Sequence, residues 1–197
     1  SFNLYDTPFA IYGQYFAEDG DAGSSLSFLT EPKVQIGFDG HVNIFNRPST
    51  IFVEYSDTFA DCKDSDNLDI GNCFYEHHIY QTGMRYNQRT IGSQYDNDST
   101  NLVFGLVSQI QQNTQLTVKL RLLELNKDNN DKAPNNLLIG NPLTKIAEDI
   151  TQLSTTVQHS HKNWRYTVGA DFSQSTYQND IKSKNNFNAS LSVEYNF

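Results

Sequence analysis

The chain has little of what builds a dense globular interior, and few cations. Only 37% of its 197 residues are hydrophobic, with one Trp, one Met and two Cys, and its mean hydropathy is -0.58. No apolar run approaches the roughly 18 residues of a membrane-spanning helix, so helical spans are excluded. Fourteen Lys and Arg face 23 Asp and Glu, giving a formal charge of -9. No basic cluster occurs, which argues against nucleic acid as a partner and against a basic face for anionic headgroups. Ser1 is followed by neither a positively charged start nor an apolar leader, as expected after removal of a leader or for a piece of a longer chain.

Familiar catalytic motifs are missing too. There is no G-x-S-x-G, no H-E-x-x-H and no phosphate-cradling glycine loop, so an enzyme is not expected. His77 and His78 are adjacent and would point to opposite faces of a strand, which prevents both from serving one metal. His159 and His161 flank Ser160 without a third orienting group, as a lipase would need. Asp96, Asn97, Asp98 and Ser99 start like a calcium loop, but Gly at the sixth position and Glu at the twelfth are lacking. Neither metal nor cofactor is expected. Cys62 and Cys73 lie in a polar stretch with no C-x-x-C spacing and no paired His, so zinc is not expected. A loop disulfide formed in an oxidising envelope compartment is the expected state, with two buried thiols as the alternative. By the chain-entropy argument such a bridge contributes about 2 to 3 kcal/mol.

What the chain does have is alternation. In residues 186–197, Phe187, Ala189, Leu191, Val193, Tyr195 and Phe197 fall on one face, and Asn186, Asn188, Ser190, Ser192, Glu194 and Asn196 on the other. Such a split describes a strand with one apolar and one polar wall, of a length that crosses a bilayer when tilted. Similar segments occupy residues 9–18, 33–41, 50–58, 76–87, 100–111, 115–125, 150–159 and 164–173, with Asn46, Pro48 and Ser49 marking a turn. The fold class expected is all-β: an antiparallel transmembrane β-barrel, forming a single region over residues 1–197. Tight hairpins at residues 112–114 and 160–163 belong on the periplasmic side. Counting back from Phe197 gives roughly nine strands, and an odd number does not close a bacterial single-chain barrel. The count also puts the cysteine connection on the periplasmic side.

Three stretches together resemble the Wzi family of outer-membrane capsule assembly proteins. Residues 51–58 read I-F-V-E-Y-S-D-T, residues 75–92 read Y-E-H-H-I-Y-Q-T-G-M-R-Y-N-Q-R-T-I-G, and residues 12–19 read Y-G-Q-Y-F-A-E-D. The middle stretch is the most specific. The terminal Phe197, with Tyr195 two residues before it, is similar to the C-terminal strand that barrel insertion machinery recognises in bacterial outer membranes. The resemblance implies that the chain is the C-terminal portion, about 8 to 10 strands, of a larger barrel of about eighteen. It also implies residence in the bacterial outer membrane among its lipids, and binding of capsular polysaccharide as a lectin that helps assemble and attach the capsule. A porin or channel for small solutes through a charged lumen is the competing function. Arg85, Arg89, Tyr95, Asp96 and Asp98, in and after the middle stretch, are the candidate polysaccharide-binding residues. Arg85, Arg89, Lys119, Arg121 and Arg165 are placed on polar faces or strand ends, where most are expected to serve in structural ion pairs.

Overall fold

The structure, a computed structural model, describes residues 2–3, 7–16, 33–59, 62–63, 69–70, 84–87, 89–130, 141–178 and 183–196. Its strands are β1 (Phe2–Asn3), β2 (Phe9–Phe16), β3 (Lys33–Ile44), β4 (Arg47–Asp57), β5 (Cys62–Lys63), β6 (Asp69–Ile70), β7 (Arg85–Tyr86), β8 (Arg89–Thr90), β9 (Ser99–Gln111), β10 (Thr114–Leu125), β11 (Glu148–His161), β12 (Trp164–Tyr177) and β13 (Lys184–Tyr195). No helix among the described residues is long and apolar enough to cross a membrane.

Nine strands form one antiparallel sheet in the order β1-β2-β3-β4-β9-β10-β11-β12-β13. The sheet is open: β1 and β13 are its edges and do not pair with each other. Its register confirms the alternation read from the sequence. One row of paired positions runs Ile11, Phe38, Val53, Phe104, Leu120, Leu153, Phe172 and Phe187 across eight strands. The row one residue further along, on the opposite face, runs Tyr12, Gly37, Glu54, Val103, Arg121, Gln152, Ser173 and Asn186. Because side-chain period is 2, an in-register meander gathers every strand's apolar residues into one belt and the polar ones into one wall.

The belt has nothing packed on it. Among the described residues only Val103, Leu123 and Leu125 are buried hydrophobics, while Phe104, Leu120, Leu153, Phe172 and Phe187 stand exposed on the belt. A soluble sandwich would cover this face with a second sheet, and a water-soluble monomer rarely leaves so wide a patch bare. A lipid-facing barrel wall needs no such cover. Aromatic rings mark both rims of the belt. At the tight-turn end Trp164 lies 6.5 Å from Tyr166 and 4.8 Å from Tyr195, between ring centroids. At the other end Tyr15 and Tyr55 share the belt's face.

Two expectations are corrected. Residues 76–87 do not form a barrel stave, since β4 pairs directly with β9 from Ser49↔Ser108 to Asp57↔Thr100 and no strand lies between them. Of that segment, Arg85–Tyr86 instead pairs with Arg89–Thr90 in a small separate hairpin, and residues 76–83 lie outside the described residues. Its alternation rested on the mixed set Tyr80, Thr82, Met84 and Tyr86, too polar to commit a strand to the belt. Without it the long strands number eight, and the connection carrying Cys62 and Cys73 (residues 58–98) moves to the same end as residues 17–32, 126–147 and 178–183. The tight turns at residues 45–46, 112–113 and 162–163 occupy the opposite end. The first of these also differs from expectation. Its two turn residues are Phe45 and Asn46, both left-handed with φ 50 and 60, while Pro48 lies inside β4 opposite Asn43. Positive φ at both central residues is the hairpin geometry that suits strand twist.

Candidate functional site

Where β4 leaves the sheet and β9 enters it, the long connection is pinned to the strand ends. Thr58 N–H donates to the Ser99 carbonyl at 2.9 Å, and the Thr58 and Ser99 hydroxyls meet at 2.8 Å. Asp98 N–H returns to the Thr58 carbonyl at 3.2 Å. The residues just before β9 are thereby pressed against the sheet: Asp96, Asn97 and Asp98 have no solvent exposure.

A buried carboxylate must be paired and hydrogen-bonded, and Asp96 is. Arg85 grips it in a two-point fork, Nε to Oδ2 at 2.8 Å and Nη2 to Oδ1 at 2.7 Å. Thr90 Oγ1 donates to Oδ2 at 2.8 Å and Asn97 N–H to Oδ1 at 2.9 Å. The β7–β8 hairpin thus serves as a clamp on the segment that follows it, closed by Ile91 N–H to the Met84 carbonyl at 2.9 Å.

Tyr95 reaches the barrel wall. The Arg121 guanidinium of β10 lies 5.6 Å from its ring centroid while donating to Gln152 Oε1 at 2.6 Å. Burial pushes the Tyr95 hydroxyl up from its ordinary pKa; Arg121 and the nearby Gln94 side chain pull it back. No well-formed hydrogen bond reaches that hydroxyl from the described residues.

Asp98 ties two long connections together. Its carbonyl accepts from Lys127 N–H and its Oδ2 from Asp128 N–H, each at 3.3 Å. Burial first, then the neighbouring Asp128 carboxyl, pushes the Asp98 pKa up to about 8, while Lys127 draws it down.

Between this pinned segment and the polar wall lies a cavity of about 350 Å³. Its floor includes the register row Gln14, Gln35, Ser56 and Asn101, contributed by β2, β3, β4 and β9. Glu54 flanks the floor, its Oε2 accepting from the Tyr12 hydroxyl at 2.9 Å. Gly92, Ser93, Gln94 and Tyr95 line the side facing the connection, and Lys33, itself buried, also belongs to the lining. A larger opening of about 460 Å³ near the tight turns, lined by His41, Thr50 and Gln109 among others, gathers no Lys, Arg, Asp or Glu.

Of the residues singled out from the sequence, Arg85 and Asp96 come together as a buried pair, half-buried Tyr95 lies against Arg121, Asp98 is buried against Lys127 and Asp128, and Arg89 stands exposed on β8. Asp96 and Asp98 are closed to solvent as they stand, so their present work is to hold the connection. Tyr195 pairs with Trp164 on β12; Phe197 and Cys73 lie outside the described residues, as does the pairing of Cys73 with Cys62. The expected ion pairs occur in part: Arg165 meets Glu194 at 3.2 Å across neighbouring strands. Sequence reasoning missed Gln14, Gln35, Ser56 and Asn101. Each is an ordinary polar residue of its own strand, and only the register places them side by side. Among the described residues no group of His, Cys, Asp or Glu is placed to hold a metal ion.

Two of the three stretches that carry the family resemblance touch here, through Tyr12 and Glu54, and all three contribute to the cavity, through Gln14, Glu54 and Gly92. A family model described as capsule assembly protein Wzi matches residues 1–190. No curated protein and no solved structure gave a match. With nearly the whole chain matched, an all-β antiparallel sheet and a clamped polar site at its long-connection end, the protein belongs to the Wzi capsule assembly family.

Proposed function

We propose that the protein resides in the bacterial outer membrane, presents its long connections at the cell surface, and there binds capsular polysaccharide to assemble and attach the capsule. It acts as a lectin and catalyses no reaction. The observation that carries this reading is the family match over residues 1–190. The distribution of connections supports the orientation, since outer-membrane barrels keep short turns on the periplasmic side and long loops outside. The partners are the polysaccharide, outer-membrane lipid along the apolar belt, and the insertion machinery reading Tyr195 and Phe197. Cys62 and Cys73 form a disulfide within the surface connection.

Deletion of the protein tests the function. Cells are expected to lose surface-attached capsule and shed polysaccharide into the medium, with uptake of small solutes unchanged. Retained capsule together with reduced solute uptake and single-channel conductance of the purified protein would establish the channel function instead.

A further inference from the structure

The cavity between Tyr95 and the polar wall has a floor of uncharged polar groups. One row places amide, amide, hydroxyl and amide on four consecutive strands, as Gln14, Gln35, Ser56 and Asn101. Asn101 is 6% exposed, and its Oδ1 is buried with no hydrogen-bond partner. Buried polar atoms are nearly always satisfied, so an orphaned acceptor facing a polar cavity marks the place of a donor that a ligand can supply. Tyr95 lines the same cavity, with its hydroxyl buried and the Arg121 guanidinium 5.6 Å from its ring centroid.

Charge narrows the ligand further. Glu54 brings one carboxyl group to the lining and Lys33 one ammonium, while the Asp57 carboxylate turns to the belt side and accepts from the Tyr55 hydroxyl at 2.9 Å. The two nearest arginines are engaged: Arg85 grips Asp96, and Arg121 holds Gln152 while lying over Tyr95. An acidic sugar entering here would meet the carboxyl group of Glu54, and no arginine among the described residues lines the cavity to grip its carboxylate. A ring of hydroxyls suits amides, a hydroxyl and an aromatic face. The volume of about 350 Å³ accommodates one sugar ring together with ordered water.

We propose that this cavity is a subsite for one uncharged pyranose unit of a polysaccharide, with Asn101, Gln35 and Ser56 binding its hydroxyls and Tyr95 covering one face. The subsite rests on the polysaccharide-binding reading above.

Saturation-transfer NMR on the full chain in detergent tests the subsite, using the methyl glycosides of glucose, galactose, mannose and glucuronic acid. At least one neutral glycoside is expected to receive saturation, and the glucuronide to bind roughly tenfold more weakly or not at all. Asn101→Leu should weaken the neutral glycoside by roughly tenfold, the worth of one buried hydrogen bond. Gln35→Ala and Ser56→Ala provide milder variants should Asn101→Leu not fold, with far-UV circular dichroism as the check on folding. Glucuronide binding as strong as the neutral sugars, no binding by any glycoside, or full binding by all folded variants would overturn the subsite. Capture of the strain's own purified capsule by the wild-type protein separates the two levels. Capture that survives every cavity variant sinks the subsite and leaves the lectin function standing, whereas absence of any capture sinks both.

Discussion

Arg85 and Asp96 show how a single contact can decide whether a surface connection has a shape. Asp96 is fully buried and Arg85 nearly so, with side-chain exposures of 0% and 7%. Replacing Arg85 by Ala leaves a buried carboxylate with only Thr90 and a backbone amide, and breaking such a pair costs about 3 to 5 kcal/mol of local stability. The long strands of the nine-stranded sheet take no part in the clamp's bonds to Asp96. Limited proteolysis of Arg85→Ala with proteinase K should therefore cut within residues 58–98 much faster than in wild type, while the protected barrel fragment is unchanged; equal cutting rates would show that the clamp is not needed. Asp98 predicts a pH effect of definite sign. Its pKa is raised from 3.8 to about 8 in the folded protein, so the folded state holds this proton more tightly than the unfolded one. The stabilisation is complete below about pH 4 and is lost as pH climbs to about 8, where Asp98 ionises in its buried position. Amide exchange at Lys127 and Asp128, corrected for intrinsic base catalysis, should accelerate across that window. Asp98→Asn, which cannot ionise, should flatten the profile, and an unchanged profile would refute the account.

At the scale of strands, the register explains what the sequence reveals and what it withholds. Residues 100–111, 115–125 and 164–173 are readable because Leu102, Phe104 and Leu106 need an apolar face, and they find Leu122, Leu120 and Val118 on the neighbouring strand. Residues 76–87 mislead because a polar sequence can alternate by chance, and the direct β4–β9 pairing leaves no place between those strands for another stave. The candidate site is half legible for the same reason. Arg85 and Asp96 lie close in sequence and pair directly, whereas the floor row of Gln14, Gln35, Ser56 and Asn101 exists only after four strands align. Glycine carries a further element-scale signal. Gly105 faces Phe52 directly across β4 and β9, and a Cβ there would run into the ring. An aromatic ring laid over a cross-strand glycine covers backbone that the missing side chain leaves bare. Gly105→Ala must displace Phe52, a ring whose crowding costs on the order of 1 to 3 kcal/mol. Urea unfolding should show that loss for Gly105→Ala and should recover most of it in Gly105→Ala combined with Phe52→Leu; no loss in the single variant would mean the ring moves freely.

The sheet has one apolar and one polar face, and what lies against the apolar one can be measured by depth. Leu120 belongs to the row that crosses the middle of the belt, flanked by Phe104 and Leu153. Leu116 lies on the same face of β10 but four residues nearer the tight turns, beside Ser108 and Val157. Lys119 lies on the opposite face, between Gly105 and Ser154. If the belt faces hydrocarbon, a cation costs about 2 to 4 kcal/mol at mid-depth and at most about 1 kcal/mol near the interface. Leu120→Arg should therefore lower the folding free energy in phosphatidylcholine vesicles by the larger amount and Leu116→Arg by the smaller, while Lys119→Ala changes it little. A protein layer covering the belt would give a different pattern, because burial against side chains does not vary with distance from a bilayer centre. Equal losses at Leu116 and Leu120, or a loss at Lys119 as large as either, would place something other than lipid against this face.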